Sequence, residues 1–390
     1  MNFTSRNLLA QRVVSLGFLA GCLVTPQLWL SDRFFPLTPV AAWFSGFPNP
    51  FDRILYVALL VTLACNAALP GRKILSSATL FIAGILALQD QARWHPWFEW
   101  YTLAFLAFTV NAWRPTEAGA KSAVQALRLI LISSYLWSGL QKINVTFFLN
   151  LFPWFASAFL PGAEEMKWVR SIGAIVPPLE AMLALLLLSP RWRRLGMWGA
   201  IGLHTFIFVC VGPLGHSLNE NVWPWNVTLL LLVWVLFHSD EETAPLEFLR
   251  PKTVPHAVVL ALCGFAPILT FFDRFDAYPG FSLYSGSQRA AYIQLPPGEL
   301  ESVPAPLRPL IDSENRIKLS NWSMAVLKTP DYAEPRIFNS AFEYYCARAP
   351  KSGARLVVMS KPHRLKGVRV TEYERECAPT SPAEHSPQPQ

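Results

Sequence analysis

Charge is scarce in this chain. Asp, Glu, Lys and Arg supply 15% of its 390 residues, where a soluble domain carries nearer ~25%. Cysteine is sparse too: there are six, and no two stand in a C-x-x-C pair. A thioredoxin-like or zinc-ribbon role therefore has no support. Cys22, Cys65, Cys210 and Cys263 lie in apolar runs and read as small core residues. H-E-x-x-H, G-x-S-x-G and the P-loop are all missing, so no metal site or nucleotide loop is expected. No internal repeat is visible, which speaks against a transporter built from two repeated halves. The formal charge of +7 sits mostly in short loops and in the C-terminal part. That placement reads as a topology signal and not as a nucleic-acid surface.

What is abundant is apolar length. Hydrophobic residues make up 52% of the chain, in runs that approach the roughly 20 helical residues needed to cross a bilayer. The runs are Leu8 to Leu30, Arg53 to Leu69, Ile74 to Leu88, Phe98 to Trp113, Arg128 to Asn144, Ile172 to Leu188, Leu195 to Val211, Trp223 to Phe237 and Ala257 to Phe272. Leu19 to Cys22 resembles a lipoprotein cleavage box, but the apolar run continues to Leu30, which suits a span better. The Pro-rich stretch from Ser31 to Asp52, with Trp43 and Phe44, suits the interface. So does Phe147 to Leu160, which Pro153 interrupts.

Loop charges set the expected orientation. Arg72, Lys73, Arg114, Lys121, Arg191, Arg193, Arg194, Arg250 and Lys252 all fall on one side, whereas Gly212 to Val222 on the other side has no Lys or Arg. The positive-inside rule then places the N-terminus in the cytoplasm and the C-terminal region outside it. From Asp273 onward, AAYIQL, WSMAVLK, ARLVVMS and GVRVTEYE alternate with Pro, Gly and charge, which predicts strands. The expected fold is an all-α polytopic membrane protein of about nine transmembrane helices with a small C-terminal α+β extramembrane domain. Its parts are a transmembrane domain at 8–272, an extracytoplasmic domain at 273–376 and a disordered tail at 377–390. Cys346 and Cys377 would share that oxidising compartment and are expected to form a disulfide.

Ionisable groups inside spans are rare and costly, so each asks for a reason. Tyr135, Ser138 and Lys142 recur at three and then four residues and share one helix face. Lys142 reads either as an interfacial lysine or as a partly desolvated base. Glu180 and His204 have similar expected depth on consecutive helices and are expected to pair, as a structural bond or a proton relay. Pro177 and Pro178 would kink the helix beside Glu180. Asp90, His95, Asn221 and Trp223, with Arg93, His216, Asn219 and Asn226, gather on the Lys142 side as an outward polar pocket. Gly196, Gly199 and Gly202 read as close helix packing.

The ordered set YLWSGLQKIN, PPLEAMLALLLLSPRWRR and GLHTFIF resembles the HTTM family, the membrane domain of vitamin K-dependent gamma-carboxylase and of many bacterial proteins. The likeness covers roughly residues 8–272, and the Asp-Gln-x-x-Trp run at 90–94 adds to it. It implies base chemistry, of lyase type, with Lys142 as the base. The substrate would be a quinone-like or other lipophilic molecule in an outward pocket holding Tyr135, Ser138, Asp90, His95, Asn221 and Trp223. Glu180 and His204 match family positions. The family's catalytic His is replaced here by Trp97, with His95 offset, so glutamate carboxylation is not implied. The alternative is a non-catalytic membrane scaffold or redox-accessory protein of DoxX type. It would sit in the lipid bilayer and bind an extracytoplasmic protein partner through its external domain. The sequence leaves open whether the protein is an enzyme.

Overall fold

A computed structural model describes residues 1–41, 43–44, 50–238, 245–349 and 352–377. Each of the nine apolar runs folds as helix: α1 (Phe3–Val24), α2 (Phe51–Ala68), α3 (Lys73–Gln89), α4 (Pro96–Trp113), α5 (Glu117–Lys142), α6 (Lys167–Leu188), α7 (Arg193–Val211), α8 (Val222–Phe237) and α9 (Val254–Phe272). Six of them, α1, α2, α5, α6, α7 and α9, are long and apolar enough to cross a membrane. α3 and α8 are apolar but shorter, at 17 and 16 residues. α4 is rich in Trp and carries Glu99, and it falls outside the six.

Local chemistry sets the helix ends. Asn2 caps α1 by accepting from the Ser5 amide, and Thr116 caps α5 by accepting from the Gly119 amide. The α2–α3 turn needs Gly71, whose φ of 80° is left-handed. α9 passes from α-helix into a π-helical turn at Leu260–Phe265 and then 3₁₀ geometry at Ala266–Phe272, where Pro267 cannot donate to an α ladder. The Phe147–Leu151 stretch is also a π turn, followed by a short helix at Phe152–Ser157 that starts with Pro153.

α5 is the hub. Its neighbours include α1, α4, α6, α8 and α9, and 18 of its residues are buried. Elsewhere the outer helix faces keep large apolar side chains exposed, among them Leu16, Val57, Phe81, Leu185, Trp198 and Phe265. That is the surface a bilayer would cover.

The C-terminal part carries a four-stranded antiparallel sheet in the order β2 (Arg316–Lys318), β1 (Ala290–Gln294), β3 (Arg355–Met359), β4 (Thr371–Glu376). Its buried positions are Ala291, Ile293, Ile317, Leu356, Val357 and Val358. Along β1 they alternate with less buried residues because strand side chains point to opposite faces, whereas β3, between two neighbours, buries three in a row. Helices α10 (Leu319–Leu327) and α11 (Pro335–Arg348) pack on β1 and β3, respectively. One expectation is corrected here. WSMAVLK is helix and not strand, because Leu319, Trp322, Ser323 and Leu327 bury one helical face. A disulfide joins Cys346, on α11, to Cys377, just past β4, with Cα atoms 5.5 Å apart. The tail expected to be disordered lies, from 378 on, outside the described residues.

This part sits on the helix ends. Trp322 Nε1 donates to the Phe34 carbonyl at 2.6 Å, and Asn144 Nδ2 to the Ser285 carbonyl at 2.8 Å. Arg364 donates to Gln141 Oε1 at 2.8 Å and to the Leu140 carbonyl at 3.2 Å. Between α9 and the sheet, Phe281 and Tyr284 adopt left-handed backbone (φ 58° and 55°). Such values are uncommon for bulky residues. The turn is held by amides of Phe281 and Ser282 bonding Tyr278 and Ala277 carbonyls.

Candidate functional site

Glycine explains why the polar groups meet. A Cβ on Gly139 would lie 2.6 Å from the Ala181 amide and 2.7 Å from the Pro177 carbonyl. Only glycine lets α5 and α6 approach this closely. Gly196 and Gly199 do the same for α7 against Leu187 and Leu183, whereas Gly202 meets nothing. Three residues along from Gly139, Lys142 reaches Glu180. Its ammonium donates to both carboxylate oxygens at 2.8 Å and to Ser138 Oγ at 2.5 Å. Those three bonds use all three ammonium donors. Both side chains are less than a tenth exposed.

The expected Glu180–His204 pair does not form. His204 bonds elsewhere: Nε2 lies 2.8 Å from Tyr135 OH, and Nδ1 lies 3.0 Å from Asn226 Oδ1. The Asn226 amide nitrogen donates to the Val222 carbonyl, which fixes Oδ1 as the acceptor facing His204. A neutral His204 therefore carries its proton on Nδ1 and accepts from Tyr135 through Nε2. The helices thus contribute two neutral polar sets: Lys142–Glu180–Ser138 across α5 and α6, and Tyr135–His204–Asn226 across α5, α7 and α8.

Both sets line one cavity of about 100 Å³, otherwise walled by apolar side chains such as Phe152, Leu203 and Trp225, with Phe281 and Tyr284 from the left-handed turn. Small-molecule sites span roughly 300–1,000 Å³. At about 100 Å³ this one is below that range and is too small for a quinol ring bearing an isoprenoid tail.

The remaining expected pocket residues do not reach that cavity; each is spent on holding loops. Asp90 accepts from Arg33 at 2.5 Å and from the Thr38 and Ala92 amides at 3.1 Å, with Arg93 at 3.9 Å. Arg93 in turn donates to the Leu28, Trp29 and Leu86 carbonyls. A buried carboxylate paired this way staples the loop after α1 to the loop after α3. His95 is buried, with Nε2 3.0 Å from Thr329 Oγ1 and its ring against Tyr278. Burial pushes its pKa down to about 3, so it stays neutral. Asn221 accepts from Thr25 at 2.9 Å, and Trp223 Nε1 donates to the Val211 and Leu218 carbonyls.

Sequence reasoning placed Asn226 only in an outer-loop cluster. Its position four residues past Val222 on a helix was the available signal for an inward role. Glu99 was missed altogether, although it is a carboxylate inside an apolar run. Among the described residues, no group of three or more His, Cys, Asp or Glu could hold a metal.

The fold and its apolar helices define an integral membrane protein. The family model of the methylamine utilisation protein MauE matches residues 120–220. That stretch holds nearly all of α5, all of α6 and α7, and with them Tyr135, Ser138, Lys142, Glu180 and His204. The chain is similar to that membrane-protein family there. The match overturns the HTTM resemblance: the helices that carried it correspond to MauE, and nothing supports HTTM. No curated protein matches the chain, and no solved structure does.

Proposed function

We propose that this is a non-catalytic membrane accessory protein whose helices form a rigid platform for an external domain that binds a protein partner. The observation carrying this reading is the state of Lys142. Its ammonium is neutralised by Glu180 and fully bonded, and that fits a helix pin, whereas a proton-abstracting base needs a free lone pair. The cavity beside it is too small for a lipophilic substrate. In this reading all nine helices span, the N-terminus is cytoplasmic, and residues 273–376 lie outside with β4 as a free, charged edge. The name of the similar family makes methylamine utilisation the process in which to seek the partner.

The test is genetic and biochemical together. A deletion strain of the source organism is expected to lose growth on methylamine. Wild type and Lys142→Met/Glu180→Met are both expected to restore it and to recover the same extracytoplasmic protein from mild-detergent extracts. Unchanged growth after deletion would remove methylamine from the proposal. A folded double variant that recovers the partner but not growth would show that the pair does chemistry, and the accessory reading would fall.

A further inference from the structure

A second cavity lies beside the first. It is larger, about 310 Å³, and the two share only Pro96 and Phe281 as wall residues. Its other walls come from α4, from Ile130 on α5, from Leu262 and Cys263 on α9, and from the segment leading into the left-handed turn. The volume falls at the lower end of the range typical of small-molecule sites, roughly 300–1,000 Å³. The lining is almost wholly apolar and rich in rings: Trp94, Phe98, Trp100, Phe275 and Phe281.

One carboxylate interrupts that lining. Glu99 is the single Asp, Glu, Lys, Arg or His among the wall residues. It is only partly exposed. Among the described residues its side chain has no hydrogen-bond or ion-pair partner, although its backbone amide bonds the His95 carbonyl. Its place at the end of the first turn of α4 gives it some support from the helix dipole, at most about 1 kcal/mol near a surface. That support supplies no counter-charge. A carboxylate among apolar walls is costly unless paired. The protein pairs Glu180 with Lys142 and Asp90 with Arg33, yet leaves Glu99 open to the cavity.

The chemistry of the walls selects the missing partner. One carboxylate is too few to hold a divalent ion, and no metal-binding group of three or more side chains exists among the described residues. Aromatic faces around a single carboxyl group suit an organic ammonium, which gains a salt bridge and cation–π contact together. An anion would be repelled, and a neutral ligand would leave the carboxylate unpaired. The remaining volume calls for an apolar substituent.

We infer that this cavity binds a lipophilic monovalent amine, its ammonium paired with Glu99 and its apolar body against the aromatic walls. The site is separate from the Lys142–Glu180 pair and stands whether or not the accessory reading does.

The test uses the full chain in phosphatidylcholine nanodiscs, with empty nanodiscs subtracted. Phenylbutylamine and its neutral counterpart phenylbutanol are titrated by calorimetry into wild type, Glu99→Gln and Glu99→Asp. Wild type is expected to show saturable single-site binding, with the amine preferred by about tenfold or more, the equivalent of ~1.4 kcal/mol. Glu99→Gln should reduce that preference to within about twofold, and Glu99→Asp should keep part of it. Equal binding of amine and alcohol to wild type would overturn the inference and mark the cavity as a crevice for lipid tails. So would an amine preference that survives in Glu99→Gln, or the absence of saturable amine binding.

Discussion

Glu180 and Glu99 each bring a carboxylate to a cavity between helices, and their surroundings differ in one respect. Glu180 has an ammonium 2.8 Å from both of its oxygens, beside a cavity of about 100 Å³. Glu99 has no counter-ion among the described residues, beside a cavity of about 310 Å³. In a low-dielectric interior a satisfied pair specifies helix register, whereas a carboxyl group without a counter-ion is costly to ionise until one arrives. The first arrangement is what a pinned helix crossing needs. The second is what a site needs when its occupant brings the opposite charge. The difference also explains why the more conspicuous cluster is the less reactive one: its polar groups have already found each other.

The sharpest way to break the comparison is to make Glu180 resemble Glu99. Lys142→Met removes the ammonium and leaves a buried carboxylate unpaired. The expected loss is about 3–5 kcal/mol of stability, with most of it recovered in Lys142→Met/Glu180→Met. Chemical unfolding in mild detergent, run as a double-mutant cycle, measures this. A single variant as stable as wild type would mean that Glu180 is already protonated or hydrated, and the pin would lose its basis.

Next comes the approach that brings the pair together. Gly139→Leu puts side-chain atoms where the Ala181 amide and the Pro177 carbonyl already stand. Backbone cannot rotate away as a side chain can, so α5 and α6 must separate. The expected loss is about 1–3 kcal/mol, read as a lower melting temperature. The strain should also weaken the Lys142–Glu180 coupling measured in the same cycle.

Much of this could be read from the chain. The apolar runs marked helices α1 to α9, of which six are long and apolar enough to cross a membrane, because few other segments need such length without charge. Lys142, Glu180 and His204 stood out for the same reason in reverse, being polar where polarity is costly. Their partners could not be read. Glu180 and His204 share a depth, but pairing also depends on rotation about each helix axis. Gly139 let α6 come close enough to α5 for Glu180 to meet Lys142, while Asn226 and Tyr135 occupied both His204 nitrogens. Asp90, His95, Asn221 and Trp223 looked like a pocket because polar groups near span ends are cheap in sequence. Folding buried Asp90, His95 and Asn221 and tied the half-buried Trp223 indole to the Val211 and Leu218 carbonyls. WSMAVLK was misread because a short apolar stretch fits both periods, and only packing of Trp322 against Phe34 and Phe35 decides between them.

The Tyr135–His204–Asn226 set is neutral throughout, so disturbing it should cost less than breaking the ion pair. Tyr135→Phe keeps the ring and removes only the donor to His204 Nε2. The expected loss is about 1 kcal/mol. Asn226→Leu removes the acceptor for Nδ1–H and should cost a similar amount, with the two effects non-additive because both act through one imidazole. Additive losses would mean that the three groups are not a single set.

The smallest effect belongs to Glu99. With no ligand present, Glu99→Gln removes a carboxyl group that has no counter-ion among the described residues and keeps the shape of the side chain. Stability is expected to stay within about 0.5 kcal/mol of wild type or to rise, the opposite sign from every change at Lys142, Gly139 or Tyr135. Unfolding of the ligand-free protein in the same detergent checks it. A loss of more than about 1 kcal/mol would show that Glu99 has a structural partner after all, on the scale of an ordinary hydrogen bond. The contrast between the two carboxylates would then disappear. An unchanged or raised stability, set beside a large loss at Lys142, would make Glu99 a residue kept at some expense to the fold, which is the pattern expected of a binding group and not of a packing one.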